Sequence, residues 1–202
     1  MRKQWLTIAG MAAVLLASGC GSSVAPTQAP ASKAPAVVTD STAGIAAVGP
    51  PTWAAENVRG PFPVSRVVDG DTIWVQTDSG RLKVRLIGID TAETVAPGQP
   101  VGCFGPEATA EAERLLAGTS VSLELDPSQG AVDRYDRTLA YVWMANGGLF
   151  NLAMVRDGFA IEYTYDQPYR YQAQFKSAQA QAQQSLAGMW SQSTCGGDAA
   201  FQ

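Results

Sequence analysis

The stretch VVDGDTIWVQTDSGRLKVRLIGIDTAE, Val67 to Glu93, decides how this chain folds and where its chemistry lies. Thr72 to Thr77 and Leu82 to Ile89 are rich in Val, Ile and Leu, and Val64 to Val68 precedes them with the same character. Asp-Gly and Asp-Ser-Gly turns separate the runs, which therefore read as a three-stranded antiparallel meander. Polar groups collect at the strand ends: Asp69 and Asp71 flank Gly70, Arg85 sits inside the third run, and Asp90, Thr91 and Glu93 follow where it stops. Acids and an arginine grouped in this way are what metal-assisted attack on a phosphodiester needs.

Downstream, Gly105 and Pro106 open a helix through Leu116, with proline in its first turn, Glu107 at its positive end and Gly118 as its stop. Val121 to Leu125 and Leu139 to Met144 read as two more strands, and Phe150 to Asp157 as a short helix ended by Gly158. Between about Pro168 and Leu186, Phe175, Ala178, Ala182 and Leu186 recur at helical spacing, which predicts one packed face and an end near Gly188. Five strands, one helix after the third and helices at the end suggest an α+β chain built on an OB-type barrel, whose open face commonly binds oligonucleotides.

Upstream, Arg2 and Lys3 precede an apolar run from Trp5 to Leu16 and then Ala17, Ser18 and Gly19, the layout of a secretory signal peptide over residues 1–19. At about 1.5 Å per residue that run is too short to cross a hydrocarbon core comfortably. The position of Cys20 resembles a bacterial lipoprotein cleavage box, with Leu16 one place earlier than the usual leucine. Cys20 would then be the lipidated N-terminus, anchoring the chain to the outer face of the cell membrane; ordinary cleavage and an uncleaved anchor are the alternatives. Residues 20–60 are rich in Pro, Ala, Ser and Thr without helical or strand period, and read as a disordered tether. Such a coil reaches on the order of 30–40 Å. Trp53 either belongs to it or caps the domain. One folded domain, residues 61–195, and a tail, 196–202, account for the rest of the 202 residues.

The formal net charge is −4, and loss of Arg2 and Lys3 with the signal takes it to −6. Nucleic-acid binders are more often basic, but an enzyme needs affinity only at a cleft and can recruit a divalent cation to offset its carboxylates. The chain has no histidine. That excludes Ser-His-Asp and Cys-His catalysis and any histidine base, leaving carboxylates, arginines, tyrosines and a metal. In an exported chain with Cys20 lipidated, Cys103 and Cys195 remain as an even pair and are expected to form a disulfide, two free thiols being the alternative.

VVDGDT, VRLIGIDTAE, FGPEA, DRYDRTLAYVW and the region of Trp190, in this order and at these intervals, resemble the staphylococcal nuclease (thermonuclease) family over about Pro63 to Trp190. The resemblance implies a five-stranded OB-fold β-barrel with three α-helices and a calcium-dependent endonuclease that cleaves DNA and RNA. Asp71 and Asp90 offer hard oxygen ligands suited to Ca2+, and the family pattern adds the main-chain carbonyl of Thr91. Asp69 matches the family's neighbouring acid behind those ligands. Glu93, three residues after Asp90, is the candidate general base, with positioning of the water as its other role. Arg85 and Arg137 are assigned to the charge on the phosphate, to which each presents a planar fork. Tyr135, Tyr163 and Tyr165 are candidates to stack on or hydrogen-bond the nucleotide, the last two on the strength of the similarity. The chain is expected to act as a monomer.

Each piece alone has a plainer reading. DGDT is a common hairpin turn, Asp90 to Glu93 resembles a helix start, Arg85 suits an ion pair with Asp90, Arg137 suits a surface pair with Asp133 or Asp136, and tyrosines are often core or rim residues. Ala92 stands where the family usually has proline and Asp136 where it usually has glycine, departures expected to weaken binding before they abolish activity. A non-catalytic OB-type surface module and a structural envelope lipoprotein are the competing functions. Retention of Asp71, Arg85, Asp90, Glu93 and Arg137 speaks against the first of them.

Overall fold

The computed structural model describes residues 56–92, 94 and 101–197. The signal segment, Cys20, Trp53 and the rest of the tether as far as residue 55, Glu93, and the tail from residue 198 lie outside the described residues. Among the described residues the chain runs β1 (Val58–Val67), β2 (Thr72–Thr77), β3 (Gly80–Leu86), β4 (Ile89–Asp90), α1 (Gly105–Leu116), β5 (Ser120–Glu124), β6 (Thr138–Met144), α2 (Phe150–Arg156), β7 (Ile161–Glu162) and α3 (Gln172–Gln184). Five strands close a barrel in the order β1-β2-β3-β6-β5, while β4 and β7 form a separate two-stranded ribbon. With the three helices this is the α+β barrel expected from the sequence.

β1 to β3 form the antiparallel meander read from the turns, with Thr72 opposite Arg85 and Trp74 opposite Lys83. β3 meets β6 in parallel, and β6 pairs antiparallel with β5. Closure comes from β1, whose first half pairs with β5 and whose second half pairs with β2. Register irregularities between Arg59 and Phe62 and between Val64 and Arg66 let one strand serve both neighbours, as a bulge permits. β1 thus begins at Val58, earlier than its apolar run suggested, and takes in residues 58–60 that composition left to the tether.

The barrel interior follows the strand alternation: Ile73 and Val75, Val84 and Leu86, Val121 and Leu123, Ala140 and Val142 are all buried. α1 covers one end with Ala108, Ala112 and Leu116, α2 contributes Phe150 and Met154, and α3 contributes Phe175, Ala178 and Ala182. Leu186 departs from expectation. α3 stops at Gln184, Leu186 takes a left-handed φ of 54°, and its side chain is 53% exposed instead of continuing the packed face. The run Leu82–Ile89 is likewise not one strand. β3 ends at Leu86, and the Arg85 guanidinium donates Nη1 bonds to the carbonyls of both Leu86 and Ile89, which holds the intervening turn and starts β4. Gly88 is required in that turn: its φ is +80°, and a Cβ there would sit 2.5 Å from the Tyr169 ring.

Two buried carboxylates tie the segment before α3 to the barrel. Glu124, 0% exposed, accepts from Trp143 Nε1 (2.7 Å), Tyr171 OH (2.8 Å) and Arg170 Nη1 (2.7 Å). Asp126 accepts from Ser128 N–H and hydroxyl, Tyr141 OH and Arg170 N–H. Cys103 and Cys195 are bonded, closing a span of 92 residues that brings the end of the described chain to the loop before α1. In the chain-entropy model a loop of that length contributes about 4–5 kcal/mol.

Burial pushes the Asp126 carboxyl up, but the hydrogen bonds to it outweigh burial and hold it below the usual aspartate value. Its stabilisation is therefore complete above the unfolded value, about 3.9, and is lost as pH falls through the lower folded value. Asp126→Asn should lower the urea midpoint at neutral pH and flatten its decline below about pH 4. An acid limb as steep as that of the parent chain would contradict this role.

Candidate active site

Asp71, at the entry to β2, is 6% exposed, and its carboxylate is engaged on both oxygens. Oδ2 accepts from the Thr91 N–H (3.0 Å) and hydroxyl (3.1 Å), and Oδ1 accepts from the Thr72 hydroxyl (3.0 Å). Arg85 Nη2 lies 2.7 Å from Asp90 Oδ1 and 3.3 Å from Asp71 Oδ2. Two acids from different strands therefore converge on one guanidinium nitrogen, and the plain reading of Arg85 as the ion-pair partner of Asp90 holds in the same arrangement. Asp69 closes the turn by accepting the Asp71 N–H (3.0 Å). Burial, and then the like charge of Asp71, raise the Asp69 carboxyl to about 7. The turn approaches its surroundings so closely that a Cβ at Gly70 would meet Thr91 Cγ2 at 2.6 Å and Ala108 Cβ at 3.0 Å. Glycine there is a packing requirement, and α1 is the surface the turn rests on.

The opposite wall is the loop before β6. Arg137 donates Nε to Asp133 Oδ2 (2.6 Å), and Asp133 Oδ1 also accepts the Arg137 and Tyr135 N–H groups, each at 2.9 Å. Burial pushes the Asp133 carboxyl up, but these bonds prevail and hold it below the ordinary value. The pairing noted as a surface alternative is thus the anchor of Arg137. It uses Nε, and among the described residues both terminal nitrogens are without a hydrogen-bond partner. Tyr135, 63% exposed, lies beneath two guanidinium groups, with Arg137 Cζ 5.2 Å and Arg134 Cζ 4.8 Å from its ring centre.

The third wall comes from the β4–β7 ribbon, which pairs Ile89 with Glu162 and Asp90 with Ile161. Tyr163 N–H donates to the Gly88 carbonyl (3.0 Å) and the Tyr169 hydroxyl donates to the same oxygen (3.1 Å), so the tyrosine segment is fixed to the turn that carries Asp90. Tyr163 and Tyr165 are 41% and 71% exposed with ring centres 6.4 Å apart. One cleft of about 940 Å³ is lined by Asp69, Asp71, Arg85, Asp90, Thr91, Tyr135, Arg137, Tyr163 and Tyr165. Every described candidate from the sequence thus meets in one place. Ala92 is buried beside them at 2% exposure, and Glu93 follows it outside the described residues. Among the further lining residues that the sequence did not single out as functional are Lys83, Asp133, Arg134 and Asp166. The i, i+2 spacing of Lys83 and Arg85 on one strand was the available signal for the first.

Among the described residues no three Asp, Glu, Cys or His side chains close into a cage for a metal ion. The hard donors present are the carboxylates of Asp71 and Asp90 with the main chain at Thr91. The three acids Asp69, Asp71 and Asp90 stand around Arg85 at this end of the cleft, an excess of carboxylates over guanidinium, while the Asp69 carboxyl is raised first by its burial and only then by the charge of Asp71. A hard dication suits this donor set and would relieve the excess. Chemically, the cleft pairs a cation-seeking end with a second arginine and aromatic walls, an arrangement complementary to a phosphate ester carrying a base.

Comparison with known proteins agrees with this geometry. The model of the family described as staphylococcal nuclease homologue matches residues 83–192, so the Asp69–Asp71 turn lies just upstream of the match. A thermonuclease of Staphylococcus hyicus is 42% identical over 130 residues, covering 64% of this chain and 75% of that one. A thermonuclease of Staphylococcus intermedius is 38% identical over 143 residues, covering 70% and 83% respectively. The SPbeta prophage-derived endonuclease YokF of Bacillus subtilis (strain 168) is 33% identical over 129 residues, 63% of this chain and 43% of that one.

Asp136, beside Arg137, has a φ of 60°. Aspartate tolerates that left-handed conformation at a cost that glycine avoids. Asp136→Gly should therefore raise stability, by about 0.5 kcal/mol once the added freedom of the unfolded chain is counted. A urea melt in which the midpoint falls would contradict the strain.

Proposed function

The chain belongs to the staphylococcal nuclease homologue family, and from that membership we propose that it is a calcium-dependent endonuclease hydrolysing phosphodiester bonds of DNA and RNA. The observation that carries the proposal is the meeting of Asp71, Arg85, Asp90 and Arg137 in one cleft with tyrosines on its rim.

A phosphodiester is anionic and repels hydroxide, so its cleavage requires a neutralised phosphate, a placed water and stabilisation of the charge that builds on its oxygens. Asp71, Asp90 and the Thr91 carbonyl would hold calcium, with Asp69 supporting Asp71 through its bond to the Asp71 N–H. When bound there, calcium supplies Lewis-acid neutralisation of the phosphate and orientation for the water. Arg85 is locked by two carbonyls and the Asp90 carboxylate, so its plane is set before substrate arrives. Arg137, held through Nε, would offer its two terminal nitrogens as a fork to the phosphate oxygens and assist the leaving oxygen. Glu93 takes the proton of the attacking water, a carboxylate being the available base in a chain without histidine. Tyr135, Tyr163 and Tyr165 support the nucleotide by stacking or hydrogen bonding, which tolerates any base and suits action on both DNA and RNA.

We further propose that the chain is exported and tethered as a lipoprotein through Cys20, placing the cleft outside the cell membrane where calcium is plentiful, and that it acts as a monomer. The purified full-length chain should degrade plasmid and RNA with calcium and stop when the ion is chelated; a folded protein that cleaves neither with any divalent cation would end the nuclease reading. Glu93→Gln should reduce kcat by about 10²–10⁴-fold, and a full rate in that variant would remove the base assignment alone. Cys20→Ser should move the expressed chain from the detergent phase to the aqueous phase in Triton X-114 partition. Unchanged partition would reject the lipid anchor.

A further inference from the structure

Beyond Arg85 the outer face of the β2–β3 hairpin continues away from the cleft, with side chains that have no part in the chemistry above. On β3, Arg85, Lys83 and Arg81 alternate along an unbroken register with β2, so all three project from the same face. Lys83 lines the cleft together with Arg85, which makes the row continuous with the site. Trp74 stands directly opposite Lys83, and Arg66 of β1 stands directly opposite Trp74. Arg81 Cζ lies 5.2 Å and Lys83 Nζ 5.9 Å from the Trp74 ring centre. Among the described residues, Arg66, Arg81 and Lys83 take part in no ion pair.

We propose that Arg66, Arg81 and Lys83 form a phosphate-binding track for the single-stranded flank of the substrate, leaving the cleft at Lys83, with Trp74 as the residue that positions the two β3 cations. The proposal rests on the nuclease reading and adds a substrate class to it, a single strand long enough to extend beyond the cleft. Alternate residues of a β-strand are about 6.6 Å apart, a step of the same order as the phosphate repeat of an extended nucleotide strand. Lys83 and Arg81 can therefore meet successive phosphates in line with the cleft end marked by Arg85. Resting the β3 cations on an indole face restricts their rotamers, which reduces what must be ordered when phosphate arrives. Residues 80–83 of β3 have no pairing with β6, so charge there also guards a strand edge. Guarding an edge is served by either sign, whereas the three groups are all positive in a chain of net charge −4. The one acid of the connecting turn, exposed Asp78, lies at the far end of the hairpin from the cleft.

The test uses the full-length chain and fluorescein-labelled single-stranded DNA of about four and about twenty nucleotides, lengths that bracket a small single-strand site. Binding is read by anisotropy with chelator present, and cleavage is read separately with calcium. The Arg81→Gln/Lys83→Gln variant should bind the longer strand about tenfold more weakly, lose about 1.4 from the salt slope of log Kd, and change much less toward the shorter strand. The Arg81→Lys/Lys83→Arg variant keeps both charges and should bind the longer strand as the parent does, which separates lost charge from misfolding. Unchanged binding of the longer strand by the Gln variant, or equal weakening for both lengths, overturns the track. Loss of length-dependent binding in a chain that cleaves neither strand with calcium would support the track while sinking the nuclease reading.

Discussion

The cleft depends on one buried charge, the carboxylate of Asp71. A carboxylate at 6% exposure is costly to desolvate and persists only where donors surround it. Its donors come from three places in the chain: the Thr72 hydroxyl at the head of β2, the N–H and hydroxyl of Thr91 just past β4, and the Arg85 guanidinium on β3. Satisfying this single group therefore fixes where β2, β3 and β4 end relative to one another. Arg85 carries the constraint further, because the same guanidinium binds Asp90 and two backbone carbonyls of the turn between β3 and β4. Gly70 allows the approach and Ala108 of α1 backs it. The arrangement proposed for chemistry is thus also the arrangement that closes this corner of the fold.

A second pair of carboxylates does the same for the far wall. Glu124 and Asp126 bind residues 170 and 171 through side chains and the Arg170 N–H, and so hold the segment leading into α3. Tyr169, its neighbour in sequence, reaches the Gly88 carbonyl and Glu162 Oε1. Tyr163 N–H shares that Gly88 carbonyl. A continuous set of hydrogen bonds thereby runs from the closed barrel to the turn bearing Asp90 and to the rim tyrosines. The buried Asn151 adds an independent tie, accepting the Val142 N–H of β6 and donating to the Ile87 carbonyl. The walls are thus loop segments fixed to the barrel by hydrogen bonds, which suits the proposed work of placing charge.

What the sequence revealed and what it withheld follow the range of the forces involved. Strands with alternating Val, Ile and Leu and helices bounded by Pro106 and Gly118 are local signals, and they reappear in the structure within a few residues. The acids and Arg85 were legible as a group because they crowd the ends of those strands. The β4–β7 ribbon was not, because two residues a side carry no period and their pairing is decided by contacts more than seventy positions apart. Leu186 fits the helical spacing of Phe175, Ala178 and Ala182, but the backbone leaves the helix before reaching it. Glu124 sits at an outward position of the alternation in VSLEL, and only the later segment folding over it turns that outward face into a buried one. The role of Asp133 was half visible, since its spacing to Arg137 allowed a pair without saying that the pair aims the arginine.

Net charge, which counted against nucleic acid as a partner when read from composition, takes another meaning once positions are known. A formal charge of −4 spread over the chain says little about a local field, because exposed charges beyond a Debye length, about 8 Å in physiological salt, are largely screened. Within the cleft Asp69, Asp71 and Asp90 stand together at one end, while the opposite wall carries Arg134 and Arg137, the latter paired with Asp133. Arg66, Arg81 and Lys83 continue the positive charge of Arg85 along the barrel exterior. On the proposed reading a polyanion meets attraction along those lines. On the same proposed reading, affinity would depend on a cation at the three acids and on phosphates in register with the arginines.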